Sequence, residues 1–61
     1  MITLISDIIK RGTLIKEYNF KSQYDDGYPI TYKVQAYKYT AYIIEITYEN
    51  NIVIRVNINA I

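Results

Sequence analysis

The chain contains no cysteine, no histidine and no tryptophan, and only two glycines and one proline among its 61 residues. Without cysteine there is no disulfide, and without cysteine or histidine a zinc or iron site loses its usual ligands. The same two absences remove the commonest general base and the thiol nucleophile of enzyme chemistry. Two glycines cannot build a glycine-rich phosphate loop, and so little glycine and proline is not the composition of a disordered segment. Charge of one sign is missing too. Seven basic residues face six acidic ones, a net charge of +1, which is not the basic field that phosphate-backbone binding demands.

Long apolar runs are also lacking. The opening "MITLISDIIKRG" carries Asp7 inside it and no basic residue ahead of its apolar part, which is wrong for a secretory signal, and no stretch reaches the length of a membrane span. A cytoplasmic location is expected, without membrane, metal or cofactor. The acids Asp7, Glu17, Asp25, Asp26, Glu45 and Glu49 are scattered. The "DDG" triplet lacks the later ligands of a calcium loop and reads as turn chemistry, so no enzyme is expected.

A single domain, residues 1–61, is expected, and a chain of this length buries only about 60% of its unfolded surface. With disulfides and metals excluded, a partner or a second subunit is the remaining support.

The residues with A+T-rich codons (Ile, Tyr, Asn, Lys, Phe, Met) fill 33 of the 61 positions. This points to an A+T-rich gene, as found in low-GC bacteria and their phages and plasmids. Host cytoplasm is the expected compartment if the gene is phage-encoded.

The apolar residues Leu4, Ile5, Ile8 and Ile9 share a helical face, and Lys10, Arg11 and Gly12 make a basic, glycine-terminated end. This predicts a helix near 3–11, with Thr3 as its cap. From Thr13 onward the period is two, predicting strands near 13–23, 28–37, 41–49 and 52–60. The expected fold class is α+β: a short N-terminal helix on one face of a four-stranded antiparallel meander. The alternative is three strands, the middle one long and bent, because 38–40 lacks glycine, proline and asparagine.

Parity selects the turns. A three-residue loop Asp25-Asp26-Gly27 pairs Phe20 with Tyr32 and Tyr18 with Val34. A three-residue loop Glu49-Asn50-Asn51 pairs Tyr48 with Ile52, Ile46 with Ile54 and Ile44 with Val56, and sets Glu45 opposite Arg55. Even positions then form the helix-covered face, including Tyr18, Tyr32, Tyr42 and Tyr48.

The eight tyrosines are the outstanding feature. Tyr37 and Tyr39 have odd parity and are expected on the uncovered face with Ile15, Ile43, Val53 and Ile61, framed by polar residues. Such a patch suits protein contact, and tyrosine is a preferred anchor. The function expected is a non-enzymatic protein-binding module, an inhibitor or adaptor acting by occlusion, with Tyr37, Tyr39, Ile43, Val53, Arg55 and Asn57 as its site. The alternative is a single-stranded nucleic-acid binder, with Tyr37 and Tyr39 stacking on bases and Lys21, Lys33 and Lys38 on phosphates. A second alternative is a self-assembling structural protein, because the last strand is a long edge with one charge and no proline, open to a homo-oligomer partner.

Overall fold

The computed structural model describes residues 2–61, with side chains from Leu4 onward. Helix α1 (Ile2–Arg11) precedes strands β1 (Thr13–Gln23), β2 (Pro29–Tyr39), β3 (Tyr42–Glu49) and β4 (Ile52–Ala60). The strands form one open antiparallel sheet in the order β1-β2-β3-β4. The architecture is thus the expected α+β meander, and the three-strand alternative falls because the chain reverses at Thr40-Ala41. The cap expected of Thr3 lies outside the described side chains.

The first hairpin follows its turn chemistry. Tyr24 and Tyr28 close it through a 2.9 Å backbone hydrogen bond, and Gly27 N–H donates to the Tyr24 carbonyl at 2.9 Å. Gly27 sits at φ 87°, a conformation glycine adopts without strain. The loop is the three residues Asp25-Asp26-Gly27, and Phe20 pairs with Tyr32 and Tyr18 with Val34 as expected.

The last hairpin reaches the expected parity by another route. Asn50 and Asn51 both have positive φ, 48° and 69°, so the loop has two residues with the backbone twist that suits a tight hairpin. Glu49 therefore pairs with Ile52 and Tyr48 with Val53, after which the register shifts by one and Thr47 meets Arg55. Ile54 is the extra residue. This bulge restores even-to-even pairing two residues away from the expected partners, as Ile46 pairs with Val56 and Ile44 with Ile58. The Glu45–Arg55 pair does not form; Glu45 faces Asn57. Asn50 also accepts a 2.9 Å hydrogen bond from Thr31 N–H through its side-chain oxygen and donates its own N–H to the Thr31 carbonyl at 2.8 Å. The turn is thereby stitched to β2.

The middle hairpin changes the reading of the sheet. Its loop is Thr40-Ala41, so Tyr39 pairs with Tyr42, Tyr37 with Ile44 and Gln35 with Ile46. A two-residue loop sets an odd position of β2 beside an even position of β3. The face of the sheet that α1 covers therefore holds odd residues in β2 and even residues in β3. Ile8 packs in one buried cluster with Tyr37, Ile44 and Ile46, and Ile5, Tyr39, Tyr48 and Val53 surround it. Of the expected apolar stripe only Ile5 and Ile8 are turned inward, whereas Leu4 and Ile9 remain about half exposed.

Two backbone positions carry this arrangement. Gly12 N–H donates to the Ile8 carbonyl at 2.7 Å, and a Cβ on Gly12 would collide with that same oxygen while lying 3.3 Å from the Lys38 carbonyl. Thr40 has φ 55°, a strained conformation for a β-branched residue. Gly12→Ala is predicted to cost about 2 kcal/mol of stability, and Thr40→Gly to gain about 0.5–1 kcal/mol, both read from urea unfolding midpoints. A destabilising Thr40→Gly would show that the threonine side chain holds the turn.

Candidate partner-binding face

The sheet has a helix side and a bare side, and the register assigns every strand residue to one of them. Tyr37, Tyr39 and Val53 lie on the helix side, contrary to expectation. Tyr37 is only 5% exposed, and its hydroxyl donates to Gln35 Oε1 at 3.2 Å. The Tyr39 hydroxyl donates to the Asp7 carboxylate, which in turn pairs with Arg11 Nε at 2.9 Å one helical turn on. These two tyrosines hold the helix rather than face outward. Ile43, Arg55 and Asn57 stay on the bare side, as expected.

The nucleic-acid set divides as well. Lys21 and Lys33 share the helix side with Tyr37 and Tyr39, whereas Lys38 pairs with Ile43 on the bare side. The Lys33 ammonium lies 4.7 Å from the centre of the Tyr48 ring, a cation–π arrangement. Neither expected stacking tyrosine is a free aromatic face.

In their place the bare side displays residues expected in the core. Tyr18 and Phe20 from β1 and Tyr32 from β2 form a row, with ring centres 6.2 Å and 4.9 Å apart and planes inclined by 25° and 22°. Tyr18 is 42% and Phe20 46% exposed. Ile30, Val34 and Ala36 are buried beside this row although no helix lies above them. The Lys16 ammonium extends over the Tyr18 ring, 5.3 Å from its centre. Towards β3 and β4 the same side turns polar, with Glu45, Thr47, Arg55, Asn57 and Asn59. Sequence parity missed the aromatic row because it carried even-numbered residues unchanged through 38–42. The pairing sum of a two-residue loop was the signal that would have moved them.

Local electrostatics bear on the tyrosines. Hydrogen bonding to Glu49, at 3.0 Å from the Tyr32 hydroxyl to Oε1, raises the Tyr32 pKa above 10.0. Hydrogen bonding to Asp7 raises that of Tyr39, partly opposed by Arg11. Desolvation raises Tyr37 and Tyr48. Among the described residues no three acidic side chains gather where they could hold a metal ion, and no helix is long and apolar enough to cross a membrane. Comparison with protein-family models, curated proteins and solved structures found no match.

A phenol whose folded pKa is raised stabilises the fold fully below the unfolded value of 10.0 and loses that contribution as pH climbs through the folded value. Tyr39→Phe is therefore predicted to lie below the wild type in melting temperature at neutral pH, with the gap closing above about pH 10. A gap that stays constant between about pH 8 and pH 11 would show that the Tyr39 hydroxyl does not hold the helix through Asp7.

Proposed function

We propose that the protein is a non-enzymatic protein-binding module that occludes a surface of its partner with the bare side of its sheet. The observation that carries this reading is the aromatic row of exposed Tyr18 and Phe20 and half-buried Tyr32 on a face that no helix covers. Covering the exposed halves of Tyr18 and Phe20 removes about 90 Å² from water at each, worth on the order of 4 kcal/mol. Association itself costs about that much or more in lost freedom. The row alone is therefore too small, and the partner also engages the polar half of the face around Glu45, Arg55 and Asn57. An extended protein surface meets that requirement, and a short ligand does not.

The inhibitor or adaptor role is supported by the small size and by the absence of histidine and cysteine: a chain of this kind acts by covering. The A+T-rich composition supports an origin in a phage or mobile element, with the host cytoplasm as the site of action and a host protein as the target.

Affinity capture from the native host with the wild type and with Tyr18→Thr/Phe20→Thr tests the reading. A partner captured by the wild type is predicted to be lost with the double variant and kept with Tyr42→Phe, while circular dichroism stays the same for all three. If every captured protein survives the double variant, the aromatic row is not the site.

A further inference from the structure

The single chain is under-packed for its mass. It exposes 4759 Å², whereas a compact monomer of 7.2 kDa exposes about 4,100 Å². Its radius of gyration is 12.8 Å against about 10.5 Å expected for this length. The excess of about 650 Å² is close to what one partner contributes to a small specific interface, roughly 600–1,000 Å² per side.

Part of that excess lies along β4. On the helix side Val56 is 39% and Ile58 55% exposed, because α1 sits over Tyr37, Ile44 and Ile46 of β2 and β3 and none of the described residues covers β4 beyond them. The backbone of β4 is also open. Ile61 N–H donates to the Ala41 carbonyl at 3.0 Å, in step with the pairs Tyr42–Ala60, Ile44–Ile58 and Ile46–Val56. Hydrogen-bonded pairs alternate along an antiparallel ladder, so the N–H and C=O groups of Val56, Ile58 and Ala60 point away from β3.

The two edges of the sheet are not equivalent. β1 carries Lys16, Glu17 and Lys21 and a register break between Leu14 and Lys16, features that resist strand addition. β4 carries one charge, Arg55, and no proline, and its bulge at Ile54 leaves the stretch beyond it regular.

We infer that two copies of the chain pair through β4, antiparallel about a two-fold axis at Ile58, to make one eight-stranded sheet. In this register Ile58 faces the second copy's Ile58, Val56 faces Ala60, and Asn57 faces Asn59. Apolar residues meet apolar residues on the helix side and amides meet amides on the bare side. The outward N–H groups of the stretch find carbonyls, and the two Arg55 side chains stand six residues, about 20 Å, apart. A second copy is the occupant because the strand is complementary to itself at the very positions that its own sheet leaves open, and because the excess area is of the size that one partner contributes to a small specific interface. The two surfaces meet at Asn57 but are tested at separate residues: Ile58 belongs to the helix side and Phe20 to the bare side.

Sedimentation of the full chain is predicted to show a concentration-dependent monomer–dimer equilibrium. Ile58→Lys is predicted to weaken it roughly a hundredfold or more with an unchanged circular dichroism spectrum. Since the chain has no cysteine, Ile58→Cys is predicted to give a disulfide-linked dimer on mild oxidation, the facing Cα atoms lying about 5.5 Å apart. Asn57→Cys, opposite the second copy's Asn59, is predicted to link far less. A wild type that stays monomeric at all concentrations overturns the proposal, as does association that Ile58→Lys leaves intact, equal linking by both cysteine variants, or a β4 that pairs with a different protein and never with itself.

Discussion

Ile8 of the helix is seated between Tyr37 of β2 and Ile44 and Ile46 of β3, and the two-sidedness of the sheet depends on that contact. A helix of ten residues is too short to be stable alone; it exists because its inward side chains find a complementary strip. That strip is complete only when Tyr37 and Ile44 stand side by side, which the Thr40-Ala41 loop brings about. The Asp7–Tyr39 hydrogen bond and the close passage of Gly12 over the Lys38 carbonyl fix the helix at the same end. Which side becomes the core, and which is left to meet another molecule, follows from this one placement.

Much of the fold was legible in the sequence, for identifiable reasons. "DDG" names its turn, because glycine at a left-handed position and an aspartate that accepts from Tyr28 N–H at 3.1 Å leave little alternative. The strands of the first hairpin followed at once. At the last hairpin the requirement that apolar partners share a face was sound, but even-to-even pairing can be reached by a longer loop or by a shorter loop and a bulge, with partners two residues apart. Sequence spacing cannot distinguish them; the left-handed conformations of both asparagines select the second.

The site was less legible than the fold. Thr40 and Ala41 carry none of the residue types that mark a tight turn, and a β-branched threonine is a poor candidate for positive φ. Taking 38–40 as the bend kept parity constant across it and exchanged the two sides for β1 and β2. Hence Tyr37 and Tyr39 were expected outside and Tyr18, Phe20 and Tyr32 inside, whereas the reverse holds. Ile43, Arg55 and Asn57 were placed correctly, since the error was confined to residues on one side of the loop and to Ile52 and Val53 beside the bulge.

The strictly sequential strand order has a consequence for how the chain reaches its native state. Every strand bonds to its neighbour in sequence across loops of two or three residues in the last two hairpins and the first, so each pairing closes a short loop at little entropic cost. The helix is the exception: Asp7 meets Tyr39 across 32 residues, and the strip that receives Ile8 spans two strands. Contact order therefore favours zipping of the hairpins first and docking of the helix last, which leaves the apolar side of the sheet transiently open during folding.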